Sequence, residues 1–124
     1  GTDTEFHFGT NLFCHQAKLK YSYHSNSSCG SITSVPAAGY APNAWGLYDM
    51  HGNVWEWCLD SFATYSAGAS TDPFVTGGPS RILRGGAWTY NSNYCRSAFR
   101  GYSDPYLTYN DLGFRVVLAP ILVP

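Results

Sequence analysis

Asp49, Gly52, Val54 and Glu56 fall within a run of eight residues. Two carboxylates flanking a Gly-Asn turn, with the carbonyls of Gly52 and Val54 between them, form an oxygen shell suited to a hard cation such as calcium. Gly52 is the residue that allows the tight backbone turn. A structural reading competes, with Glu56 as a buried carboxylate paired to Arg84 or Arg115, because a buried carboxylate needs a partner of one kind or the other. Cys14, Cys29, Cys58 and Cys95 are a second set. They include no CxxC pair, and His7, His15, His24 and His51 do not fall at zinc-like intervals from them. Two disulfides in an oxidising compartment are therefore expected. Of the three connectivities, Cys14–Cys29 with Cys58–Cys95 is favoured, and the sequence leaves the others open. His51 stands near Asp49 with no nucleophile suggested beside it, so no acid/base constellation emerges.

The elements that must hold these residues are short. The chain has 124 residues, enough for one domain with one core. Charged residues make up 12% and aromatics 17%, too apolar and aromatic for disorder. Seven Lys+Arg within a net charge of −1 provide no basic patch, which argues against nucleic acid and anionic membrane as partners. No apolar run is long enough to span a bilayer, and no signal peptide opens the chain. Helical periodicity is nearly absent. Ala44–Asp49 predicts one or two turns at most, with Asn43 as N-cap after Pro42. Val54–Leu59 alternates with period two, setting Trp55 and Trp57 on one side and Val54, Glu56 and Cys58 on the other; Arg81–Arg84 and Gly113–Leu118 are further predicted strands. The run from Val116 to Val123, broken by Pro120, reads as a last strand and a covering tail. Long loops at 61–80 and 85–112 are expected to be ordered and functional.

Three segments carry a resemblance. Asn43–Trp57 (NAWGLYDMHGNVWEW), Arg81–Trp88 (RILRGGAW) and Cys95–Arg115, with its CRSA, Arg100, Asp104–Pro105 and LGFR, together resemble the formylglycine-generating-enzyme (sulfatase-modifying factor) domain. Gly1–Gly9 is similar to the stretch after that family's WEYA segment, so the resemblance covers nearly the whole chain without the family's N-terminal portion. It implies one domain over residues 1–124 with an α+β, loop-rich, C-type-lectin-like fold of few short strands and little helix. It also implies calcium on Asp49, Gly52, Val54 and Glu56, where the enzymes have Asn in place of Asp49. A second family calcium site would use Asn11, the Leu12 carbonyl and an Asp near Cys29; that Asp is missing here. The family's oxidases hold copper(I) on a C-x4-C pair following a GGS turn, soft thiolates suiting that metal. Here Tyr90 occupies the first cysteine position, Cys95 remains, and Ala87 replaces the serine. No copper site and no catalysis are expected, and Cys95 is read as a disulfide partner.

Between the residues that match the family, sixteen slots remain in 89–111, and five of them are Tyr. Tyrosine offers large contact area with few torsions to fix, while Ser, Gly, Asn and Thr adapt their hydrogen bonding, the chemistry of antibody paratopes. Lys, Glu, Gln, Met and Trp do not occur in the slots. Every residue that does occur there can be encoded by an Asn codon altered only at its adenines. That pattern is similar to what diversity-generating retroelements leave in variable proteins on C-type lectin scaffolds. The expectation is a non-catalytic module on an extracellular, cell or virion surface, binding a protein or glycan ligand through Thr89, Tyr90, Asn91, Asn93, Tyr94, Phe99, Tyr102, Ser103, Tyr106, Thr108, Tyr109, Asn110 and Asp111. The scaffold beneath would rest on Trp45, Trp55, Trp57 and the strand arginines. A copper oxidase or related iron-dependent sulfoxide synthase is the enzymatic alternative, and a structural accessory domain is the third.

Overall fold

The computed structural model describes residues 3–22, 28–71 and 73–118. Four strands form one sheet: β1 (Trp55–Ser61), β2 (Arg81–Arg84), β3 (Gly101–Ser103) and β4 (Leu112–Gly113), in the order β3-β2-β1-β4. β1 runs antiparallel to β2, with Glu56 opposite Arg84 and Trp57 opposite Leu83, and parallel to β4, with Trp55 opposite Leu112. β2 pairs antiparallel with β3, Ile82 opposite Tyr102. The alternation of Trp55 and Trp57 with Glu56 and Cys58 determines which face is packed, as the two-residue period requires. Trp55, Leu83 and Ala87 form one buried cluster, with Trp57, Phe99 and Leu112 packed against it.

A second cluster lies among the loops. Phe6, Leu12, Ala17, Leu19 and Cys95 bury together, with Phe8 and Cys29 alongside. Two glycines allow the two halves to approach. Gly52, at φ +77°, lies so close to the chain at Lys18 that a Cβ would stand 2.3 Å from the Lys18 carbonyl. Gly86, also at φ +77°, would place a Cβ 2.3 Å from Cys95 Sγ. L-residues disfavour that conformation as well as that crowding. Buried Lys18 extends Nζ to the carbonyls of Cys29 and Ser31, and the Cys14–Cys29 disulfide closes the same region.

Four expectations are corrected. Residues 44–49 are not helical; the only helical segment among the described residues is a 3-10 turn at Ser92–Cys95. Asn43 does cap, but it caps a loop: its Oδ1 accepts the N–H groups of Trp45 and Leu47, and its own N–H donates to the Leu47 carbonyl. Trp45 is 73% exposed and is no part of the scaffold. The last strand ends at Gly113, and Phe114, Val116, Val117 and Leu118 are exposed, their β-propensity unaided by any neighbouring strand. Residues beyond 118, where the tail was expected, lie outside the described residues. Cys58 and Cys95 are both free thiols. Cys95 is sealed in the loop cluster under Gly86, whereas Cys58 sits on β1 in the sheet, so the pair belongs to separate packing units.

Candidate ligand-binding face and cation cradle

Asp49, Gly52, Val54 and Glu56 line one cavity of about 250 Å³, together with Phe114 and Arg115. Asp49 has a positive φ of 54°, and its Oδ2 accepts the Ala38 N–H at 2.6 Å, while its Oδ1 is enclosed without a partner. Glu56 is paired: Arg115 Nε reaches Oε2 at 2.9 Å and Nη2 reaches Oε1 at 2.5 Å. The same guanidinium donates to the Tyr48 carbonyl at 2.9 Å. The Glu56 hydrogen bond holds the Arg115 pKa above its ordinary value, against the opposing effect of burial. The cradle thus combines an unsatisfied carboxylate oxygen with an arginine already on the second carboxylate. Of the expected cation ligands, Asp49 alone keeps a carboxylate oxygen without a partner, since Arg115 holds both oxygens of Glu56.

The slot residues separate into displayed and packed ones. Tyr106 is 92% exposed, Tyr102 60% and Tyr109 56%. Asn91, Asn93, Thr108 and Asn110 are also exposed. Tyr90 and Tyr94 lie lower, their rings 5.1 Å apart, Tyr90 edge-on to Trp55 at 5.3 Å and Tyr94 edge-on to Phe99 at 5.1 Å. Phe99 packs against Trp55 at 5.9 Å and is half-buried, so it supports the face and is no free anchor. Thr89 Oγ1 donates to Asp111 Oδ2 at 2.5 Å, and the Asp111 carbonyl accepts the Trp55 N–H, so this pair ties the loop to β1. Ser103 is half-buried on β3. Tyr102 stacks obliquely on Phe62 at 4.3 Å, and Arg100 lies over the Tyr65 ring at 4.1 Å, extending the aromatic surface into the 61–80 loop. Nothing in the sequence marked Phe62 or Tyr65, because only the folded sheet brings that loop beside β3.

Cys95 is fully buried, and burial pushes its thiol up to about 12, although backbone N–H groups of Gly52 and Ala87 pull the other way. At neutral pH it is a thiol, not a thiolate. A larger cavity of about 510 Å³ is lined in part by Gly85, Trp45, Arg96, His7 and His51. The two imidazoles stack at 4.8 Å. His51 Nδ1–H donates to the Cys95 carbonyl at 2.7 Å, and its Nε2 accepts the His7 backbone N–H at 3.2 Å. That pair of bonds fixes a neutral tautomer, and burial lowers the His51 pKa to about 4.

The model of the sulfatase-modifying factor enzyme 1-like domain matches residues 4–120. The chain belongs to this family. A formylglycine-generating enzyme of Streptomyces coelicolor is 37% identical over 108 residues, covering 82% of this chain and 34% of the enzyme. Among solved structures, Treponema denticola variable protein 1 superposes with a TM-score of 0.69 at 35% identity, over 81% of this chain and 34% of that one. PvdO from Pseudomonas aeruginosa gives a TM-score of 0.68 at 27% identity, over 82% and 38%. This member of the sulfatase-modifying factor family therefore spans about a third of the length of the relatives it matches. It has their loop-rich, C-type-lectin-like α+β fold, few strands and almost no helix.

Proposed function

We propose that the chain is a non-catalytic module that binds a protein or glycan on another surface through the tyrosines of the 89–111 loop. The observation that carries this reading is the display of aromatic side chains by that loop: Tyr102, Tyr106 and Tyr109 stand out into solvent, while Trp55, Leu83 and Ala87 form the buried cluster of the sheet. Exposed aromatics among small polar residues are typical of recognition surfaces. The likeness to a protein named as variable supports it. The oxidase alternative is disfavoured because Tyr90 stands where the resemblance calls for a cysteine, and Cys95 is enclosed and protonated at neutral pH. An extracellular or virion-surface setting suits the single disulfide.

Sequencing this gene from sibling isolates tests the display and its diversification together. Substitutions confined to the slots and restricted to adenine-derived codons support the reading, and substitutions scattered evenly through the chain overturn it. Incubation with copper(I) and a CxPxR peptide should produce no aldehyde; turnover would establish the oxidase instead.

We further propose that the cradle takes calcium, with Asp49 and the carbonyls of Gly52 and Val54 as ligands and Glu56 shared with Arg115. The partnerless Asp49 Oδ1 supports this. Calcium at a hundredfold excess over its Kd should stabilise the fold by about 2.7 kcal/mol, reversed by EGTA. An unchanged melting temperature in both conditions would refute it.

A further inference from the structure

The 510 Å³ cavity beside Gly85 is within the size range of small-molecule sites. None of the sixteen slot residues lines it, so it is independent of the tyrosine face. Its wall is mainly apolar, provided by Trp45 and Met50, and its charged residues are Arg84 and Arg96 with no carboxylate among the lining. Arg84 is occupied by the carbonyls of Ser97 and Phe99. Arg96 is not: Nε reaches the Asn93 carbonyl and Nη1 lies 3.7 Å from Glu5, a long ion pair that leaves donors to spare. His7 lines the same cavity, but both its ring nitrogens are enclosed and offer nothing to a ligand there. Trp45 is presented by a turn whose backbone is tied at both ends to Asn43, so the position of its Cα is fixed while the indole stays exposed.

We propose that this cavity binds a small planar aromatic carboxylate, its ring on Trp45 and its carboxylate on Arg96. The indole supplies a stacking surface, and the free guanidinium edge supplies charge-assisted hydrogen bonds. Because the slots do not reach this site, its ligand stays the same however the tyrosine face varies.

The test is isothermal titration with 2-naphthylacetate, its neutral amide and cyclohexylacetate. Saturable binding of 2-naphthylacetate is expected, with the amide and the non-aromatic acid each weaker by about tenfold or more. Trp45→Ala and Arg96→Gln should each weaken 2-naphthylacetate by about tenfold, while Y102A/Y106A/Y109A leaves it unchanged. Trp45 is exposed and its turn is held by backbone and Asn43, so Trp45→Ala folds and remains interpretable if Arg96→Gln does not. Failure of 2-naphthylacetate to saturate, or equal affinity in Trp45→Ala, overturns the proposal. Loss of binding in the triple tyrosine variant would overturn its independence from the variable face.

Discussion

At the scale of single residues, His51 and Gly86 make the sharpest statements. His51 is neutral in the fold with a pKa of about 4, against 6.5 for an ordinary histidine. The unfolded chain therefore takes up a proton between pH 6.5 and 4 that the folded chain refuses, and stability falls as pH drops through that window. The loss is about 3 kcal/mol by the bottom of it, and it is fully absent above pH 6.5. Burial also lowers the His7 pKa and adds in the same direction. Urea unfolding at pH 7 and at pH 4 measures the difference, and a flat profile would show that His51 is not enclosed as described. Gly86→Ala places a methyl group on Cys95 Sγ in a left-handed conformation, and should cost roughly 3 kcal/mol or more. A loss under about 1 kcal/mol would mean that the Gly85–Gly86 turn relaxes freely.

Among the elements, β1 does two jobs on its two faces: Trp55 underlies the tyrosines and Glu56 enters the cradle beside Arg115. Arg115→Gln removes an ion pair that is only partly buried, so stability in EGTA should fall by roughly 1–2 kcal/mol. Under the calcium proposal the same variant binds calcium more tightly, because Glu56 no longer shares its oxygens. Calcium affinity unchanged by Arg115→Gln would separate the arginine from the cation site. Replacing both Cys14 and Cys29 by serine opens a link spanning 15 residues of sequence and should cost about 3 kcal/mol. How legible these elements were follows from how local their causes are. β1 was readable because alternation of large apolar and polar residues is written within its own few positions, and β2 because its Ile-Leu pair stands just before a Gly-Gly turn. The third predicted strand is realised only at Gly113, because Phe114–Leu118 has the propensity but no second strand beside it among the described residues. Trp45 reads as a scaffold residue by its type, whereas in the Asn43 turn it is exposed. Cys14–Cys29 was readable as a pair, but the fate of Cys58 and Cys95 depended on which cluster each joins. His7 could not have been found at all, since its neighbours His51 and Arg96 come from segments far away in sequence.

On the scale of the whole molecule, Y102A/Y106A/Y109A should leave the fold intact, because these rings contribute little to either buried cluster. A melting temperature lowered by no more than about 4 °C is expected, with capture of the protein or glycan ligand abolished. Collapse of the fold would place the tyrosines in the core and remove the binding face. Tyr90 and Tyr94 differ, since they prop one another and Trp55, and their loss should register in stability as well. Not every slot is open to solvent: Ser92 is 2% exposed, whereas Tyr106 is 92% exposed. A mutagenic process blind to packing would rewrite Ser92 as readily as Tyr106, but only the second change leaves a folded protein. Under the proposed diversification, the sequences that survive would be a censored sample, screened by packing before any ligand screens them. Variation among siblings should thin along the loop in step with burial, and its profile would trace the scaffold as faithfully as the face.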